Sequence, residues 1–105
     1  MRLLIVFLLL LPLPSLALPQ CGSEAILQAQ KLLSFHVDGD DRTHVDPKAI
    51  ALPSIRNPAN RKQKFLVLEV DGTVYKGKYR MRLIYYPLGS ECVLMGQEIL
   101  ELASP

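Results

Sequence analysis

The chain has no tryptophan, only two cysteines among its 105 residues, and none of the short motifs typical of catalytic or metal sites. Neither the Cys-x-x-Cys nor the His-x-x-x-His spacing of zinc sites occurs. A Gly-x-Ser-x-Gly nucleophile elbow and a phosphate-binding glycine loop are absent as well. We therefore predict a protein that is not an enzyme and binds no cofactor.

The chain also carries little net charge. Twelve basic and ten acidic residues give a formal net charge of +2, which argues against nucleic acid as a partner. Past the first 17 positions, no apolar stretch reaches the length needed to span a bilayer. A chain of 105 residues has room for one small domain.

The N-terminus has the pattern of a secretory signal peptide. Arg2 is followed by an uninterrupted apolar run over residues 3–11, and two prolines and small residues precede a cleavage position after Ala17. The run is about half of the roughly 20 residues that cross a bilayer, although a retained anchor helix stays open. We predict a signal peptide over 1–17, a single domain over 18–105, and a periplasmic or secreted location.

The two cysteines predict one disulfide in an oxidising compartment. Cys21 and Cys92 allow only one intramolecular pairing, and the loop it closes covers most of the mature chain. In the chain-entropy model such a loop contributes about 4 kcal/mol. Lipidation of Cys21 or an intermolecular bond are the alternatives.

A helix is expected directly after the leader. Ser23 is a suitable N-cap, and the apolar residues that follow fall on one stripe at helical spacing: Ala25, Ile26, Ala29, Leu32 and Leu33. The pattern predicts a helix over 24–36. Residues 38–63, rich in proline and asparagine, predict an irregular connection with one short strand or helical turn near 48–56.

From position 64 onward the apolar residues alternate as in strands. This pattern predicts strands over 65–70, 73–86 and 92–102, with a hairpin turn at Asp71-Gly72 that places Val70 opposite Thr73. The expected fold class is α+β, with one N-terminal helix packed on a three- to four-stranded antiparallel β-meander. The disulfide would tie the start of the helix to the third strand.

Four basic residues alternate along the long second strand and would point to one sheet face. Lys76, Lys78, Arg80 and Arg82 are the candidate partner-binding residues, and Arg61, Lys62 and Lys64 would extend the patch. Such a row is also typical of a solvated outer face. Because like charges in a row repel, the functional interpretation is a docking surface for an anionic partner, either a protein or a component of the cell envelope.

The loop over 36–46 suggests an alternative function. His36 and His44 lie among four aspartates there, and such side chains can bind a divalent ion or a small ligand. The calcium-loop pattern fails, because Arg42, Thr43 and Ala49 stand where ligands and the turn glycine are needed. A solvated acidic loop is the simpler interpretation.

The order of elements resembles the cystatin-like α+β layout, including small exported bacterial proteins such as the colicin M immunity protein. The resemblance lies in Cys21, the helix at 24–36 and the meander from Lys64 to Leu102 with Cys92. The chain has no Gln-x-Val-x-Gly motif and no tryptophan, so no functional residue is transferred. The resemblance implies an exported non-catalytic binder, an inhibitor or an immunity protein.

Overall fold

The computed structural model describes residues 17–103, and the predicted signal peptide therefore lies almost entirely outside the described residues. One helix and five strands follow in order: α1 Gly22–His36, β1 Thr43–Val45, β2 Ile50–Asn57, β3 Asn60–Val74, β4 Gly77–Leu88 and β5 Glu91–Ala103. The helix begins two residues before the predicted start, after Cys21 in a left-handed conformation, and ends at the predicted residue.

The predicted fold class is wrong, because the structure is mostly β. Strands make up 58% of it, and the five antiparallel strands form a curled half-barrel sheet with one helix. The sheet order is β1-β3-β4-β5, and β2 also pairs with β3. β1 pairs with the last three residues of β3, and β2 pairs with the first ten residues of β3. The sheet is therefore larger than a three- to four-stranded meander.

Prolines explain why the sequence pattern hid β2 and the start of β3. Pro53 falls where the β2–β3 register shifts between Leu52 and Ile55, and Pro58 lies in the turn that joins the two strands. An edge strand tolerates proline at a bulge, because the missing N–H donor is not needed there. Of the two alternatives predicted near 48–56, a short strand or a helical turn, the structure has the strand, over Ile50–Asn57.

The predicted hairpin turn at Asp71-Gly72 is also wrong. Both residues lie inside β3, and the chain reverses instead at Tyr75 and Lys76. Val70 consequently pairs with Met81 rather than with Thr73. Tyr75 adopts a φ of 56° at the turn, a conformation that costs a bulky residue energy. Core packing therefore decides this register against the local turn preference.

The core lies between the helix and the central rows of β3 and β4. Ala25, Ala29 and Leu33 are fully buried on the inner side of α1, where they face a set of buried sheet residues: Leu68, Val70, Met81, Leu83 and Tyr85. The small alanines allow the helix to approach the sheet closely. Burial raises the pKa of Tyr85 to about 12, with a smaller contribution from the negative charge of Glu24.

The predicted disulfide is confirmed. Cys21 and Cys92 are bonded across a sequence separation of 71 residues. The bond joins the residue before α1 to the second residue of β5, and Cys92 pairs with Pro87 of β4. A disulfide is compatible with an extracellular or periplasmic location.

Removing this disulfide should strongly destabilise the protein. We expect Cys21→Ser together with Cys92→Ser to lower the free energy of unfolding by about 2–5 kcal/mol, because the unfolded chain regains the entropy of a long loop. Urea denaturation of the oxidised protein and of the double variant measures the difference. Equal midpoints would show that the helix packs without covalent support.

Gly72 is closely surrounded within β3, and we expect Gly72→Ala to be destabilising. An added Cβ would lie 2.9 Å from the backbone oxygen of His44 and 2.9 Å from Cδ2 of Leu33. The expected loss is about 1–3 kcal/mol, as for other overpacked core positions. Gly96→Ala is the matched control, since its Cβ would meet Ile84 at an ordinary 3.5 Å. Thermal melts in which both variants lose the same stability would contradict this packing argument.

Candidate functional site

The structure divides the four predicted partner-binding residues between two places. Lys78, Arg80 and Arg82 alternate along β4 with the buried Met81 and therefore point to the sheet face opposite the helix. We name this side of the sheet the outer face. Lys76 lies in the turn between β3 and β4 instead, with its ammonium nitrogen 5.4 Å from the centre of the Tyr75 ring.

Carboxylates on the neighbouring strands neutralise the two arginines of the outer face. Arg80 makes two hydrogen bonds to Asp71, at 2.9 and 3.2 Å, and its Nε lies 3.3 Å from Glu69. Arg82 contacts Glu69 at 3.2 Å on one side and Glu98 at 3.4 Å on the other. The hydrogen bond to Asp71, followed by the charges of Asp71 and Glu69, raises the pKa of Arg80 further above its already high value.

These ion pairs offset the repulsion expected between the cations of the basic row. Three cations of β4 share the outer face with three carboxylates, so the centre of this face has no net charge. The sequence argument missed the pairing because a turn at Asp71-Gly72 would have removed Asp71 from the strand. Within residues 17–103, neither Lys76 nor Lys78 forms an ion pair.

An apolar band crosses the outer face beside these charges. Phe65 and Val67 are only 9% exposed although they lie on the side away from the helix. The rings of Phe65 and Tyr86 meet edge to face with their centres 6.0 Å apart, and Val67 pairs with Ile84. Neighbouring strand residues, rather than a second layer, therefore cover this part of β3.

The hairpin between β2 and β3 carries a concentration of unpaired positive charge. Its four exposed cations are Arg56, Arg61, Lys62 and Lys64, named here the basic hairpin. The sequence has no aspartate or glutamate over positions 47–68. None of these cations forms an ion pair with another residue in the described part of the chain. The excess positive charge of this segment is therefore concentrated at one end of the sheet.

The register places like charges directly opposite each other in the basic hairpin. Arg56 pairs with Lys64 across the two strands, an arrangement that destabilises a sheet. The first β3 residue paired with β4 in the described structure is Leu66. The basic residues therefore project past the β3–β4 ladder on a two-stranded arm.

Hydrogen bonds order this arm. Asn57 Nδ2 donates to Gln63 at 2.7 Å, and Asn57 Oδ1 accepts from the backbone N–H of Ala59 at 2.9 Å in the turn. Arg56 donates to the backbone oxygen of Arg61 at 2.9 Å. Because these contacts fix the turn, the cations are presented on a defined backbone.

Sequence reasoning included part of this site. Arg61, Lys62 and Lys64 were expected to extend the β4 row, whereas the structure places them at the end of the sheet. Arg56 was missed because its segment was predicted as a connection with one short strand or helical turn, with no pairing to the strand that carries the other cations. The long acid-free stretch over 47–68 is the signal that could have identified the hairpin.

One carboxylate of the acidic loop over 36–46 is paired within the loop. Asp40 and Arg42 form an ion pair at 2.7 Å, and the hydrogen bonds from Arg42 lower the pKa of Asp40 to about 2. Among residues 17–103, no group of three histidine, cysteine, aspartate or glutamate side chains is close enough to hold a metal ion. Arg42 also lies 4.9 Å from the centre of the Tyr75 ring, beside a shallow cleft of about 420 Å³ that Lys76 lines.

Comparisons with protein-family models, curated proteins and solved structures give no match for this chain. Among the described residues, no helix is both long enough and apolar enough to cross a membrane.

The ion pairs of the outer face yield a stability prediction. Glu69 is 12% exposed and contacts both arginines, so Glu69→Gln should lower the free energy of unfolding by about 1–2 kcal/mol. Glu91→Gln, at an exposed position, is the control and should change it little. Urea denaturation at low and high salt measures both variants. Equal losses in the two variants would contradict a stabilising role for these ion pairs.

Proposed function

We propose that the chain is an exported, non-catalytic binding protein that docks an anionic partner on its basic hairpin. The observation that carries the proposal is the unneutralised charge of Arg56, Arg61, Lys62 and Lys64 on a projecting arm. Arg80 and Arg82 are less suitable, because carboxylates already occupy their hydrogen-bonding groups. We therefore place the docking surface at the end of the sheet rather than on the β4 row predicted from the sequence.

The cross-strand pair of Arg56 and Lys64 supports a role in binding. Like charges opposite each other cost folding free energy, and a carboxylate at either position would remove that cost. Features that oppose folding often serve function, since stability and activity trade off. An anionic partner placed between the two side chains would offset the repulsion.

The covalent bond and the N-terminal sequence support export. The Cys21–Cys92 disulfide suits an oxidising compartment, and the first 17 residues follow the pattern of a signal peptide. Within this class, a periplasmic or secreted inhibitor or immunity protein is the role that we favour. Such a role depends on binding alone and needs no catalytic site.

Charge reversal at Lys64 should move stability and binding in opposite directions. Lys64→Glu converts a repulsive cross-strand pair with Arg56 into an attractive one, and we expect the free energy of unfolding to rise by about 0.5–1 kcal/mol. The same variant should elute from immobilised heparin, a model polyanion, at lower salt than the wild type. Thermal melts and salt-gradient elution measure the two effects.

Lys78→Glu provides the matched control for this experiment. It makes the same change in charge on β4, where Lys78 pairs with Thr73 rather than with a charged residue. We expect its elution to stay close to that of the wild type. Equal shifts for the two variants would indicate a response to overall charge and would refute the basic hairpin as the docking site.

A further inference from the structure

We propose that the anionic partner of the basic hairpin is the headgroup surface of a negatively charged lipid bilayer. This inference rests on the proposed function and adds the class of partner. Three features support it: the distribution of charge around the hairpin, the apolar side chains beside it and the charge at the opposite end of the molecule.

The cations lie on both sides of the hairpin: three share the helix side, since Arg56 pairs directly with Lys64, and Arg61 lies on the other. Alternation along β3 places Lys62 and Lys64 on the helix side of the strand and Arg61 on the outer side. A rigid, flat protein surface would contact only one side of such an arm. Mobile lipid headgroups can approach both sides at once, so they suit this arrangement better.

Exposed aliphatic side chains lie at the same end of the sheet. Ile55 of β2 is 44% exposed, Leu88 at the end of β4 is 55% exposed, and Leu18, before the disulfide, is 39% exposed. On a bilayer the cations would meet lipid phosphates, while these apolar side chains could enter the boundary between headgroups and acyl chains. A soluble polyanion would leave these side chains in water.

The charge at the two ends of the molecule favours one orientation on such a membrane. The helix begins beside the Cys21–Cys92 bond, near the basic end, and ends at His36, whose ring contacts Tyr79 close to the β3–β4 turn. The aspartates that follow α1 therefore lie at the far end of the molecule: Asp38, Asp40, Asp41 and Asp46. At the basic end, Glu24 and Glu91 are the acidic residues of the described chain, and four cations outnumber them. The far end also carries the cations Arg42, Lys76 and Lys78, and Arg42 pairs with Asp40. A negative membrane would therefore attract the basic end more strongly than the other.

Vesicle co-sedimentation tests the proposal directly. The oxidised protein, recovered from an exporting host, is mixed with phosphatidylcholine vesicles with or without phosphatidylglycerol. We expect binding only when phosphatidylglycerol is present. Arg61→Glu together with Lys62→Glu should weaken it by about tenfold or more. Lys76→Glu together with Lys78→Glu, with the same change in charge at the opposite end, should weaken it by less than about threefold. All variants share the wild-type N-terminus, so a difference between them belongs to the substituted residues.

A second pair of substitutions separates lipid binding from general anion binding. Ile55→Ser together with Leu88→Ser should lower binding to the phosphatidylglycerol vesicles while leaving elution from heparin unchanged. Thermal melts establish that each variant is folded. Binding to heparin without binding to vesicles would overturn the lipid proposal and leave the proposed function standing. Failure to bind either would overturn both, and vesicle binding unaffected by the hairpin or aliphatic substitutions would refute the surface assigned here.

Discussion

Packing of the helix on the central rows of β3 and β4 is the interaction on which the rest of the structure depends. Ala25, Ala29 and Leu33 form a narrow buried stripe that requires apolar partners on one face of the sheet. Val70 paired with Met81, and Leu68 paired with Leu83, provide that face. Because side chains alternate along a strand, this choice of register fixes the direction of every other residue in β3 and β4.

The ion pairs of the outer face are a consequence of that register. With Val70 and Met81 directed at the helix, Glu69 and Asp71 point outward beside Arg82 and Arg80. The same register carries β3 past Gly72, which fits under Leu33 because it has no side chain. The chain then turns at Tyr75 despite its positive φ. The strained backbone of Tyr75 therefore accompanies a register that pairs both the apolar and the charged residues of β3 and β4.

The sequence was sufficient for the features that depend on local spacing or on chemistry alone. The apolar stripe predicted the helix almost to the residue, and an even number of cysteines predicted the disulfide. Features that depend on long-range packing were not predictable in this way. Asp71-Gly72 is a strong local signal for a turn, yet burial of Gly72 against Leu33 and His44 outweighs it. The prolines of residues 50–58 concealed a strand, because their positions at a bulge and a turn are visible only once the partner strand is known.

The candidate site was likewise predictable only where it depends on local spacing. Alternation along the strand placed Lys78, Arg80 and Arg82 on one sheet face, whereas Lys76 lies in the turn between β3 and β4. The carboxylates that pair with Arg80 and Arg82 come from strands whose register cannot be read from the basic series alone.

The basic hairpin differs from the rest of the sheet because the core places few demands on it. Among the buried residues of the core cluster, none lies between Ala49 and Leu68, and the arm is paired mainly within itself. A residue that packs against no core can change from cation to carboxylate without disturbing the fold, and at Arg56 or Lys64 that change would relieve repulsion. The neutralised arginines of β4 are explained by folding, since their partners lie within hydrogen-bonding distance. The cations of the hairpin have no ion-pair partner within the described chain, and this difference is the basis of the proposal that an external anion binds there.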